Sequence, residues 1–425
     1  MSSSLKRGKV HLPKFERRIW LFFLSVLIGG LAQSINQLYL NLYILSLGFD
    51  KDFMGLIGAI PSFTLLIFGL PTGLLIDRLG ARPSLIIGYF SLMVLLGAFL
   101  FAGSPPVLLT LRFLFGLMSG LVLLATAPFI MQIATEQTRT TLFSANFGLA
   151  TLVGFAGNLF AGQLPKWIGA SVNSPEAYRG TLLLSAVLIG VSSLPLIWIR
   201  PAAASGSAAP PFSVKRLWSQ LQRPLIRKLL LPNFFVGFGA AILIPYMNVY
   251  FREKHSTPDD VLGILFSLAS IATGLATLIG PRLARRLGKV RAAVTAQGTS
   301  LVFMALIGFA PTFIIPAMSF VARSALMNMA GPIMQAFTME QVSEDERATV
   351  NSLSTLLWNV GWAFGPALSG FVQQRYGFTP LFLATIFFYT IATSMTWFFF
   401  KNAERESGDA EASFVSRPSQ IARVK

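Results

Sequence analysis

The chain has 425 residues, 54% of them hydrophobic and only 12% charged, with a mean hydropathy of +0.65 and a net charge of +17. Soluble domains carry about a quarter charged residues, so an ordinary water-soluble fold is excluded. The absence of Cys, with only His11 and His255 for imidazole, excludes disulfide frameworks and leaves almost no material for metal clusters or nucleophile–base pairs.

In a soluble protein so basic a balance would suggest nucleic acid. Here Lys and Arg gather at the ends of apolar runs, where they orient membrane helices, and no nucleic-acid partner is expected. Residues 1–18 form a basic segment, with Lys6, Arg7, Lys9, Lys14, Arg17 and Arg18 against Glu16. The apolar run behind it continues to about Leu47, too long for a cleaved signal peptide. A spanning helix needs about 20 apolar residues. Twelve such runs are predicted: 19–46, 53–76, 83–102, 106–133, 142–164, 179–199, 229–251, 260–281, 290–309, 312–338, 348–373 and 378–400.

Residues 201–228 read as a linker, Ala/Ser/Pro-rich at first and then basic and amphipathic, and 401–425 as a polar tail. The linker separates bundles 19–200 and 229–400. The expected fold is an all-α polytopic membrane protein with twelve transmembrane helices in two pseudo-symmetric six-helix bundles. Placing the amino terminus in the cytoplasm puts 26 of the 34 Lys and Arg on that side, so both termini are expected there.

The two bundles repeat one another. Gly73 to Arg82 reads GLLIDRLGAR, and Gly280 to Gly288 reads GPRLARRLG about 208 residues later. At nearly the same offset Asn41 and Tyr43 match Asn248 and Tyr250, Asp52 and Gly55 match Asp260 and Gly263, and Arg139 matches Arg347. Glu136-Gln137 likewise matches Glu340-Gln341. Paired six-helix halves are a transporter architecture with its site between them.

At these residues the chain resembles the major facilitator superfamily, whose Gly-x-Leu-x-Asp-Arg-x-Gly-x-Arg hinge is matched by Gly73, Leu75, Asp77, Arg78, Gly80 and Arg82. Further family-like elements are Arg112 with Gly116 and Gly120, and Gly361 with Gly365 and Pro366. The fifth run lacks the Gly-Pro pair usual in the superfamily's drug exporters. The resemblance implies alternating access, a cavity lined by helices one, four, seven and ten, and a cytoplasmic latch at Asp77. That latch could pair with Arg78, Arg82 or Arg139, or cap a facing helix; a solvated topology loop is the plainer alternative. Arg285 stands where a second Asp77 would be, so the second hinge must act differently.

Within the runs, Arg112 and Arg323 are the only well-embedded charges. Such charges usually face a cavity or a partner. Measured from Glu136 and Glu340, Arg323 lies about 10 Å deeper toward the inner face than Arg112, which places it near mid-membrane. Arg323 is therefore the candidate substrate-facing cation, with a structural Arg as the alternative. Arg112 reads as structural or coupling, tied to helix one. Gln33, Asn36, Gln37 and Asn41 share one polar face of the first helix, and Tyr246, Asn248, Tyr250, Asn328 and Gln335 are further candidates. For all of these, hydrogen bonding between helices is the alternative. Met327, Met329 and Met334 read as packing, and Glu344 to Glu346 as an acidic helix start.

The expected function is secondary active or facilitative transport of a small solute, with an organic anion as leading substrate. Efflux of neutral lipophilic compounds, or lipid handling or sensing without turnover, are the alternatives. No phosphate-binding loop, metal, cofactor or enzymatic role is expected. The chain is expected to work as a monomer in a bacterial inner membrane.

Overall fold

The computed structural model describes residues 16–135, 138–168, 174–200 and 219–402. Outside these lie most of the basic first segment, most of the linker, the tail, Glu136 and Gln137; the side chain of Arg139 is also undescribed. The first half comprises α1 (Arg17–Ser46), α2 (Lys51–Leu79), α3 (Ala81–Phe101), α4 (Pro105–Ile133), α5 (Arg139–Ile168), α6 (Pro175–Ser192) and the short α7 (Leu194–Ile197). The second comprises α8 (Pro224–Leu243), a 3₁₀ turn Ile244–Tyr246, α9 (Met247–His255), α10 (Asp259–Leu287), α11 (Lys289–Phe309), α12 (Ile314–Glu340), α13 (Glu344–Tyr376) and α14 (Thr379–Phe400). The described residues form no strand.

Local chemistry sets the breaks. Pro195 and Pro245 have no N–H to give, and each sits where a predicted run divides into two helices. Pro175 opens α6, where Ser174 Oγ accepts from Ala177 N–H at 3.2 Å. Gly80 and Gly288 both have φ +88°, a backbone that favours glycine, and each ends one long helix and starts the next. The repeat is exact in length at these hinges: α2 and α10 have 29 residues, α3 and α11 have 21.

Nine spans among the described residues are long and apolar enough to cross a bilayer. The other long helices, α5, α12 and α13, carry more polar residues, among them Asn158, Arg323 and Asn351. Large apolar side chains project outward, with Phe90, Leu123, Leu278 and Phe398 all more than half exposed. Such a surface suits lipid rather than water.

Packing follows the repeat. In the first half α3 packs on α4 and α6, α2 on α4, and α1 on α5 and α6. In the second, α11 packs on α12 and α14, α10 on α12, and α8 on α13 and α14. Across the halves α2 lies along α13 and α5 along α10.

Candidate functional site

The halves meet on the face opposite the described chain ends, the far face, and the contacts come in symmetric pairs. A Cβ added to Gly55 would fall 2.5 Å from Pro366 O and 2.9 Å from Gly370 Cα. One added to Gly162 would fall 2.8 Å from Gly263 Cα. Both crossings therefore need glycine, because the backbones themselves touch. Asp52 pairs with Arg375 at 3.0 Å, and its repeat mate Asp260 pairs with Lys166 at 2.6 Å. Lys51 also pairs with Glu253 at 2.6 Å. Beneath these bridges, Asn41 Nδ2 donates to Pro245 O at 2.7 Å, and Asn248 Nδ2 donates to Leu38 O at 2.8 Å. Inter-half contacts continue inward to Phe63 against Phe364 and to Thr151 against Gly274.

Beyond that depth the second half encloses a cavity of about 630 Å³, lined by α8 and by α10 to α14. Its deep end holds Arg323, Trp362 and Tyr389; its mouth, toward the face of the chain ends, holds exposed Gln335, Asn351 and Thr355. Arg323 is 4% exposed and is the only charged residue among the described residues of the lining. Its Nη2 donates to Tyr389 Oη at 2.7 Å, and the guanidinium carbon lies 5.6 Å from that ring's centroid. No described carboxylate is within ion-pair distance of Arg323, and its Nε is buried with no partner. Asn328 Nδ2 donates to Ser324 O at 2.8 Å, and Gln335 reaches Asn351 at 3.4 Å. Gln297 Oε1 and Trp362 Nε1 are also buried without partners on this wall.

The other sequence candidates fall elsewhere. Gln33 and Gln37 are exposed and Asn36 half-buried, with its Nδ2 unpartnered, and none lines this cavity. Asn41 and Tyr246 are not on the lining either. Asn41 belongs to the seal, and Tyr246 Oη donates to Pro366 O at 3.3 Å beside the Gly58 crossing. Arg112 is bonded to α2 rather than α1. Its Nε donates at 3.0 Å to Ile57 O, the carbonyl that Pro61, lacking an N–H, leaves free four residues upstream. Gly116 of the same helix sits against Pro61 Cα.

At the hinge, Asp77 and Arg78 are exposed and make no ion pair among the described residues. Arg82 is spent within its own half, donating from Nε to Leu196 O at 2.9 Å and from Nη2 to Ile197 O. A Cβ added to Gly73 would meet nothing within 4 Å, and Gly80 supplies the turn. In the second copy the hinge is held by Lys289, which pairs with Glu340.

The profile of the Major Facilitator Superfamily matches the chain twice, over residues 22–255 and 229–422. The chain belongs to this superfamily. Among curated relatives, the multidrug resistance protein MdtG of Rahnella sp. (strain Y9602) is 24% identical over 387 residues, covering 87% of this chain and 90% of its own. The multi-drug resistance efflux pump PmrA of Streptococcus pneumoniae is 21% identical, covering 84% and 90%. Solved structures of the same fold include the nucleoside transporter NupG, with a TM-score of 0.71 at 16% identity over 91% of this chain and 99% of that one. A bacterial homologue of the lysosomal transporter Spinster gives 0.73 at 14% identity over 89% and 95%. As a superfamily member, the chain is a multi-pass transporter of a bacterial inner membrane and not an enzyme. Sequence reading missed Gln297, Trp362 and Tyr389, whose only signal was a polar or amphipathic residue inside an apolar run.

Proposed function

We propose that this transporter carries a small organic anion with an apolar body, by alternating access, within a single chain whose termini are both cytoplasmic. The observation that carries the reading is Arg323, a buried guanidinium with no counter-charge among the described residues, at the closed end of a cavity open on one face. A guanidinium offers five N–H donors, and the Tyr389 bond occupies one. Burying such a charge unpaired is costly, and an anion entering the cavity supplies the missing partner. Trp358, Trp362, Met327 and Met334 give the rest of the lining an apolar, adaptable character suited to a hydrocarbon body. The sealed far face and open mouth then correspond to the inward-open member of two alternating states.

A second reading, efflux of neutral lipophilic compounds, draws on the same apolar lining and on the drug-resistance names of the relatives. Proteoliposomes loaded with purified protein separate the two. Aryl carboxylates should move saturably, their neutral amides should not, and Arg323→Gln should remove most of the flux. Equal movement of acids and amides, untouched by Arg323→Gln, would instead establish neutral efflux.

A further inference from the structure

Polar groups without partners sit at two levels of the cavity wall, and the two levels differ in kind. At the deep level Arg323 keeps Nε and Trp362 keeps Nε1 without a partner among the described residues. The Tyr389 hydroxyl accepts from Arg323 and donates to no protein group. Everything unspent there is a donor.

About five residues along α12 toward the mouth, or about 7.5 Å of helix rise, stands Asn328. Its Nδ2 gives one N–H to Ser324 O, which leaves the second N–H and the acceptor Oδ1 of this exposed side chain open to the cavity. Gln297 on α11 faces the same wall at that height. Ser300 Oγ donates to Gln297 O at 2.6 Å and lies 3.7 Å from Met327 Sδ, which fixes α11 against α12 one turn below Arg323. Gln297 is 9% exposed, and its side-chain oxygen is buried with no partner among the described residues. Buried polar atoms are paired as a rule, so the orphaned Gln297 oxygen, with the open Asn328 amide on the same wall, points to a group brought in by a ligand.

We propose that the cavity recognises a hydroxylated organic acid: the acid group is held by Arg323, Tyr389 and Trp362, and a hydroxyl one ring-length away by Asn328 and Gln297. The hydroxyl donates to Gln297 Oε1, the buried acceptor without a partner, and accepts the second N–H of Asn328 Nδ2. This deepens the anion reading and rests on it for the deep end. The selectivity it adds is against acids of the same shape that lack the hydroxyl proton. Leaving the buried Gln297 oxygen unpaired is what makes such discrimination large.

The test is calorimetric titration of the full chain in detergent with 4-hydroxybenzoate, 4-methoxybenzoate and methyl 4-hydroxybenzoate. The hydroxy acid should bind at least about tenfold more tightly than the methoxy acid. The double variant Gln297→Leu/Asn328→Leu should erase that preference without weakening the methoxy acid, and Arg323→Gln should weaken both acids alike. If the double variant does not fold, Gln297→Met, close in volume, should narrow the preference in the same sense. Equal binding of the two acids, a preference that survives these substitutions, or no binding of either acid overturns the proposal. The ester reports on the anion reading separately: if it binds as tightly as the hydroxy acid, the acid site is wrong whatever the hydroxyl does.

Discussion

Asn41 and Asn248 make the same bond in opposite directions, each donating its side-chain amide to a backbone carbonyl of the other half. The acceptors, Pro245 and Leu38, are themselves 207 residues apart, as are the two asparagines. A two-fold relation between the halves thus runs through the middle of the seal. Replacing both asparagines by Ala leaves two carbonyls short of a donor, a penalty of about 1–3 kcal/mol apiece paid only while the far face is closed. The variant should therefore populate the other opening. The chain has no native Cys, so Thr355→Cys in the exposed mouth gives a clean readout. Its labelling by an impermeant thiol reagent should slow in the double-Ala background; unchanged labelling would count against the seal.

The bridges Asp52–Arg375 and Asp260–Lys166 are the surface expression of that symmetry. All four side chains are partly exposed, so each pair is worth about 0.2–1 kcal/mol and is weakened by salt. Arg375→Gln and Lys166→Gln should shift Thr355→Cys labelling by similar small amounts and add when combined. A large effect from one and none from the other would show that the bridges do not share the load.

Glycine at the crossings leaves far less latitude. Gly162→Val or Gly55→Val would drive side-chain atoms into the facing backbone, which cannot retreat as a flexible side chain can. Either variant should remain folded, lose transport, and hold the far face open, as measured by labelling of a Cys placed at Asp52 or Asp260. Retained turnover would mean that the helices do not approach this closely during the cycle.

Arg112 gives a cycle that separates architecture from transport. Arg112→Leu should lower thermal stability in detergent by leaving Ile57 O unsatisfied, an effect of about 1–3 kcal/mol. Pro61→Ala restores an N–H to that carbonyl, so adding it to Arg112→Leu should recover much of the loss. Failure of the second substitution to help would point to a role for Arg112 beyond the kink.

Much of the fold was legible because its signals are local or periodic. Apolar runs give the helices, and the recurrence of Gly80 as Gly288 gives the two halves, with the same positive φ at both. The depth of Arg323 followed from counting turns to Glu340, and the guanidinium does line the cavity. The partners of polar residues were harder to read. The face shared by Gln33, Asn36, Gln37 and Asn41 is a property of one helix, whereas Asn41's partner lies 204 residues away. Periodicity tells which side a residue faces, not whether substrate or another backbone waits there. Tyr389 was missed for the same reason, being one hydroxyl among several in an apolar run until its bond to Arg323 sets it apart. Arg82, offered as a partner for Asp77, is instead taken by the carbonyls of Leu196 and Ile197 at the end of α7.

The solitary charge of Arg323 also bears on energetics at the scale of the whole membrane. With a monovalent acid in place the site is neutral; empty, it carries one positive charge. A membrane potential acts on charge by about 2.3 kcal/mol per unit per 100 mV across the full field. Voltage should then leave the loaded crossing nearly untouched and bias the empty return, in proportion to the share of the field that Arg323 crosses. Exchange of one acid for another avoids the empty return altogether, so exchange should be faster than net flux and nearly independent of voltage.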